Sequence, residues 1–233
     1  RVGADHRPAG GLTRARACGA PMTTLSAVDL HHAFEPTAPV LRGVSAQFTA
    51  GEVVGVVGPS GSGKSTFLHV LGLMLTPPQG HVALDGESLS GRGDTERARV
   101  RAERYGFVFQ DSALDPTRTV LDNILEGCLY RRAPRADFAA TALELMDRFG
   151  VSLRAAARPG QVSGGQAQRV ALCRALVHDP AVVLADEPTG NLDPDSATVV
   201  GEALRAHAAR PDVVVVVTHD PVMRSFCDRE ISR

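Results

Sequence analysis

The sequence predicts an α/β fold built on a mostly parallel sheet with helices on both faces, and three observations lead there. Val53–Val57, Ala181–Ala185 and Val213–Val217 are continuous aliphatic runs of strand length, the pattern of strands buried on both faces. Segments with helical apolar spacing lie between them, and strands alternating with helices imply parallel neighbours joined by crossovers. A glycine-rich stretch, Gly58–Gly63, separates the first aliphatic run from the helical segment that follows it.

Composition narrows the classes. At 233 residues the chain makes one large domain or two small ones, long enough to bury a core without disulfide or metal staples. Hydrophobic residues make up 43% and charged residues 22%, which excludes wholesale disorder. A net charge of -1 argues against an overall field for a nucleic-acid backbone, so no nucleic acid is expected as partner. The four cysteines have neither CxxC nor Cys/His ligand spacing and read as reduced thiols. No apolar stretch approaches the roughly eighteen residues of a membrane span, so the chain reads as soluble, with any membrane role exerted through a partner. Of the 25 Lys plus Arg residues only Lys64 is a lysine, which asks for an explanation at its own site.

The elements follow in order. Residues 1–21 lack periodicity and a secretory apolar region and read as a disordered leader from an over-extended start, with Met22 the expected first residue. Strands are expected at Leu25–Leu30, Val44–Phe48 and Val53–Val57. A helix is expected from Lys64 to Leu75, stopped by Pro77, Pro78 and Gly80. His81–Leu84 reads as a strand closed by the hairpin-type turn Asp85-Gly86. Glu96–Glu103 is a charged helix and Tyr105–Phe109 a strand. Val120–Leu129 and Ala136–Phe149 form a helical block after the Asp115-Pro116 break, inserted between strands of the sheet. Val170–Val177 is apolar nearly all round, hence a buried helix. A helix from Pro194 to about Ala209 joins the last two aliphatic strands, and Glu230-Ile231 is strand-like just before the chain ends at Arg233.

The chemistry begins at Gly58, Pro59, Ser60, Gly61, Ser62, Gly63, Lys64, Ser65 and Thr66, which fit G-x-x-x-x-G-K-[ST] between a strand and a helix. The glycines let successive backbone N–H groups turn inward as an anion nest, and the helix N-terminus adds partial positive charge. Lys64 reaches the β- and γ-phosphates of a nucleotide, and the Ser65 hydroxyl is offered to Mg²⁺. The lone lysine thus has a reason, and the segment marks a P-loop NTPase. Val182–Asp186 is a second aliphatic strand, ending in two carboxylates. Asp186 beside the phosphate loop can hold Mg²⁺, directly or through water, and Glu187 is placed to orient and deprotonate an attacking water. By itself, Asp-Glu-Pro after a strand is more often a turn and helix cap; the phosphate loop beside it reverses that balance.

Ser163 and Gln166 have the spacing of a capping box, yet the adjacent Gly164 and Gly165 are costly at a helix start unless bare backbone must approach something. A second anion site would account for them.

Val-Ser-Gly-Gly-Gln-Ala-Gln-Arg followed by Ala-Asp-Glu-Pro-Thr-Gly-Asn-Leu-Asp resembles the ATPase subunits of ABC transporters, over about residues 23–230 with every motif in order. The resemblance implies a RecA-like core, a small antiparallel β subdomain and an inserted α-helical subdomain at about 111–165, within one ATP-binding domain spanning 22–233. It implies that Phe34 stacks on adenine, although taken alone a phenylalanine there is better read as a core residue. It implies that Gln110, after Gly106-Phe-Val-Phe, contacts Mg²⁺ and couples to a membrane subunit. Ser163, Gly164, Gly165 and Gln166 would meet ATP held by the opposite subunit of a homodimer. Asn191-Leu192-Asp193 would join the two sites, with Asp193-Pro194 also a helix cap, and His219 would sense the γ-phosphate. His31 and His32 match no motif and read as surface residues. Val162 stands where the family usually has leucine, a change that should spare the phosphate contacts.

Within the family, Ala185–Asp193 and Gly106–Gln110 resemble the branch of lipoprotein-release and macrolide-export ATPases, which also holds a cell-division ATPase. Asp115-Pro-Thr-Arg-Thr-Val is more like peptide importers. The implied function is Mg²⁺-dependent ATP hydrolysis driving a separate permease from the cytoplasmic face of the membrane. The alternatives are a soluble regulator of cell division or wall remodelling, and a P-loop kinase, which would leave the signature and His219 unexplained. The Gln110 segment and helices Val120–Phe149 are the expected permease-docking surface, with Arg131 and Arg132 exposed upon it.

Overall fold

The computed structural model describes residues 22–35, 37–129, 131, 134–190 and 192–233. The leader at 1–21, Arg132 and Asn191 lie outside the described residues. The strands are β1 (Thr24–Glu35), β2 (Ala38–Thr49), β3 (Val53–Val57), β4 (Gln79–Leu84), β5 (Glu87–Ser88), β6 (Tyr105–Val108), β7 (Val182–Asp186), β8 (Val213–Val217) and β9 (Arg229–Ser232). The α-helices are α1 (Lys64–Leu71), α2 (Asp94–Arg104), α3 (Val120–Glu126), α4 (Ala139–Arg148), α5 (Gly164–Leu176), α6 (Pro194–Ala208) and α7 (Pro221–Ser225). Among them, none is long and apolar enough to cross a membrane.

Two sheets form. The first is antiparallel, in the order β2-β1-β4-β5. The second is parallel throughout, in the order β6-β7-β8-β3-β9. The continuous aliphatic runs are its inner strands, and alternate residues feed different layers. Val183, Ala185, Val214 and Val216 pack with α3, α4, α5 and α6. Val182, Leu184, Val213, Val215 and Val217 pack with α1 and the antiparallel sheet. A strand with apolar neighbours above and below has no polar face to reveal its period.

The first strand runs past the expected Leu30 to Glu35. Leu25 and Ala27 point inward, then Leu30 does, because register shifts after Ala27 and Leu30 break the two-residue period. Asp29, at φ 48°, lies inside this irregularity. The first helix stops at Leu71 rather than Leu75. Gly72 N–H donates to Leu68 O and Leu73 N–H to Val70 O, and Leu73 turns left-handed. The later helix begins earlier than the apolar run suggests. Ser163 accepts from Gln166 N and Gln166 reaches back to Ser163 N, so the capping box is formed and Gly164–Leu176 is one helix. It packs tightly on β6: a Cβ on Gly106 would come within 2.3 Å of Ala175 O.

Candidate nucleotide site

In a parallel sheet the loops leaving the C-terminal strand ends gather at one edge, where open α/β sheets bind ligands. Here the segments after β3, β6, β7 and β8 surround a cavity of about 560 Å³ lined by Gly58, Ser60, Gly61, Gly63, Lys64, Ser65, Thr66, Gln110, Asp186, Glu187 and His219, with Val40 and Val217. Motifs up to about 160 residues apart in the chain therefore meet. Pro59 and Ser62 belong to the same loop without lining the cavity, and the Ser62 hydroxyl is buried without a hydrogen-bond partner.

The phosphate loop has the geometry its glycines predict. Gly63, at φ 87°, leads directly into α1, and a Cβ there would lie 2.7 Å from Val40 Cγ1. Lys64 folds back over the loop, its Nζ donating to Gly58 O and Pro59 O at 2.9 Å each. The ammonium is thus held at the cavity by backbone oxygens.

Asp186 closes β7 and is buried, at 6% exposure. Burial holds its carboxyl above the usual carboxylate range, against a hydrogen bond from Ser65; the neighbouring Glu187 carboxylate pushes the same way as burial. Its Oδ1 is buried with no hydrogen-bond partner. A buried carboxylate oxygen left over beside a serine hydroxyl is a donor set that suits a hard divalent cation. Ser65, Asp186 and Gln110 line the same cavity and fit Mg²⁺. Glu187 adopts left-handed backbone at φ 47°, its N–H donating to Val217 O at 2.8 Å. That turn brings its carboxylate to His219, whose ring Nδ1 lies 2.7 Å from Glu187 Oε1. Close to this pair in the chain, the buried Thr189 hydroxyl donates to Asp220 Oδ2 at 2.5 Å.

Other expected residues lie apart. Phe34 is 67% exposed on β1, outside the cavity lining, with the His32 ring edge-on at 4.9 Å. His32 is not an open-surface residue: both of its ring nitrogens are buried. Ser163, Gly164, Gly165 and Gln166 stand at the N-terminus of α5 and do not line the cavity of their own chain. Asp193 caps α6, accepting from Ser196 N at 2.9 Å. No sequence signal marked Val40 or Val217 as part of the site; strand pairing alone brings Val40 there.

A second, more apolar groove of about 790 Å³ lies between β6, α2 and the ends of α3 and α5. Tyr105, Phe107 and Phe109 stack along it at 6.0 and 5.8 Å, with Ala98, Arg99 and Ala102 on one side and Glu126, Gly127 and Arg174 on another. His178 closes one end, its Nε2 bonded to Tyr105 O at 3.0 Å. Burial depresses its ring to about 4, with the Arg131 charge acting in the same direction. The end of α3 lines this groove and α4, which packs against α3 and α5, does not. Arg131 is half-buried, not exposed, and donates to Glu103 O at 3.0 Å.

The family profile described as ABC transporter matches residues 41–190. A lipoprotein-releasing system ATP-binding protein LolD of Myxococcus xanthus is 46% identical over 193 residues, covering 82% of this chain and 86% of that protein. An uncharacterized ABC transporter ATP-binding protein of Thermotoga maritima is 46% identical over 180 residues, 77% of each. Among solved structures, the dimeric bacterial ABC transporter cassette MJ0796 superposes with a TM-score of 0.83 at 32% identity, covering 89% of this chain and 93% of that one. A post-hydrolysis form of MJ0796 bound to ADP and Pi gives 0.81, also at 32% identity. With the phosphate loop, the acidic strand end and His219 joined in one cavity, and relatives of this closeness along most of its length, the chain belongs to the ABC transporter family as an ATP-binding cassette.

Proposed function

We propose that the chain is the ATP-hydrolysing subunit of a two-part transporter, pairing with a second copy of itself around two ATP molecules and driving a separate membrane permease. The observation that carries this reading is the meeting of Lys64, Asp186, Glu187 and His219 at one cavity. The similarity to LolD proteins and the branch motifs favour translocation of the lipoprotein-release or macrolide-export kind. Residues 22–233 then form one ATP-binding domain with its helical insertion at about 111–165, held at the cytoplasmic face of a membrane through the permease.

In this reading the backbone amides of the phosphate loop and Lys64 bind the phosphates and carry their charge. Ser65, Gln110 and Asp186 would hold Mg²⁺, which when bound neutralises charge on the β- and γ-phosphate oxygens. Glu187 accepts a proton from the attacking water, and His219 orients that carboxylate. Phe34 offers an exposed ring for adenine. Ser163–Gln166, at a helix N-terminus outside their own cavity, supply amides to the γ-phosphate held by the other subunit.

The groove over Tyr105, Phe107 and Phe109 is the seat for a short helix of the permease. It is apolar along its floor, carries Arg99, Arg101 and Arg174 on its rim and lies directly before Gln110 in the chain. A helix with an apolar face and an acidic flank is its complement.

Purified protein given Mg·ATP should release inorganic phosphate with no phosphorylated acceptor, and should capture a polytopic membrane protein when isolated from native membranes. Transfer of the γ-phosphate to a small molecule would replace the ATPase reading by a kinase. Hydrolysis with no membrane protein retained would favour a soluble regulator.

A further inference from the structure

After β6 the chain leaves the sheet through Phe109 and Gln110 and turns sharply. Ser112 and Ala113 both adopt left-handed backbone, at φ 53° and 46°. Residues with a Cβ resist that conformation, and two in succession persist only when something over-determines them. The structure supplies the constraint from α5. Arg174 donates Nη2 to Ser112 O and Nη1 to Ala113 O, both at 2.7 Å. Six residues earlier on the same helix, Gln168 donates Nε2 to Phe109 O at 3.1 Å. Three carbonyls flanking Gln110 are therefore held by two side chains of one helix, α5, which Ser163 caps.

We propose that Arg174 is a positioning residue for the nucleotide site: its guanidinium clamps the left-handed turn at Ser112 and Ala113 and thereby sets where Gln110 enters the cavity. The forked, planar guanidinium can serve two adjacent carbonyls at once; an ammonium is a point donor and cannot reproduce that geometry. Arg174 also lines the aromatic groove, so the clamp stands between the groove and Gln110. The inference rests on reading Gln110 as part of the nucleotide site.

The test compares wild type, Gln110→Ala, Arg174→Lys, and Arg174→Lys combined with Ser112→Gly and Ala113→Gly. Glycine adopts the left-handed conformation without a clamp. Arg174→Lys should lower kcat about tenfold with KM for ATP within about twofold, since the phosphate loop is untouched. The glycine pair should restore most of the loss. In nucleotide-free protein, hydrogen exchange at the amides of residues 110–114 should quicken in Arg174→Lys while the other segments of the chain stay protected. If Gln110→Ala is impaired but Arg174→Lys turns over and exchanges like wild type, the clamp is wrong and the site reading stands. A loss in Arg174→Lys that the glycines do not rescue, or that comes with faster exchange throughout α5, makes Arg174 merely structural and also overturns the inference. Wild-type turnover in Gln110→Ala removes Gln110 from the site and the purpose of the clamp with it.

Discussion

Glu187 and His219 are joined twice: Oε1 of the carboxylate lies 2.7 Å from the ring Nδ1, and Oε2 accepts from the His219 backbone N–H at 3.3 Å. The histidine side chain is 79% exposed and the carboxylate 10%, so the ring stands over the carboxylate at the mouth of the cavity. A carboxylate oxygen only accepts, so against an ionised Glu187 the ring Nδ1 is the donor of this contact. The pair ties the turn after β7 to the turn after β8, and its two residues line the cavity together with Lys64.

Glu187→Gln keeps the volume and a hydrogen-bonding oxygen but cannot accept a proton. Turnover should fall at least about 100-fold while ATP still binds. Lys64→Ala should instead weaken binding, because the charge over the phosphates is removed. Single-turnover hydrolysis and nucleotide retention separate the two. Turnover near wild type in Glu187→Gln would assign the base to another group.

Ser163–Gln166 do not line their own chain's cavity, and in the reading proposed above a second copy supplies them. Lys64→Ala and Gly165→Asp should each cripple a homodimer. In a mixed dimer both lesions fall on one site and the other site is wild type. Mixing should therefore restore one trapped ATP per dimer, read by nucleotide trapping. If subunits demonstrably exchange and trapping stays at the homodimer level, the signature serves its own chain.

The groove predicts a separation of functions. Arg99 is exposed on its rim and far from the phosphate loop in the chain. Arg99→Glu should weaken association with a permease about tenfold or more by placing like charge against an acidic helix flank. ATP hydrolysis by the isolated subunit should stay near wild type. Retained association, measured by pull-down from membranes, would move docking elsewhere.

His178 makes acid stability measurable. Its ring is depressed to about 4 by burial, against about 6.5 in an unfolded chain. Between those values the unfolded state binds the proton and the native state does not, so stability is lost as pH falls through this window. The loss between pH 7 and pH 5 should be about 2 kcal/mol. His178→Gln keeps a donor for Tyr105 O and should flatten that slope in urea titrations at the two pH values. An unchanged slope would place the titrating group elsewhere.

Much of this molecule was legible along the chain because its signals are local. The aliphatic runs, the Gly58–Ser65 loop, the Ser163–Gln166 capping box and the Asp193-Pro194 cap each depend on neighbours within a few residues. The parallel sheet follows from strands alternating with helices. What required tertiary structure depends on register and on contacts between distant segments. The bulge at Asp29 hides the length of β1 because the two-residue period breaks there. Val40 reaches the phosphate loop only through the pairing of β2 with β1. The hold of Arg174 on Ser112 and Ala113 spans 62 and 61 positions and leaves no spacing to read. Arg131 looked like one more surface arginine until folding placed the Glu103 carbonyl within reach. Sequence pattern determines what each segment becomes, because backbone geometry and burial act over a few residues. Which segments meet is decided by how the two sheets and their helices pack, and a polar side chain takes its partner only then.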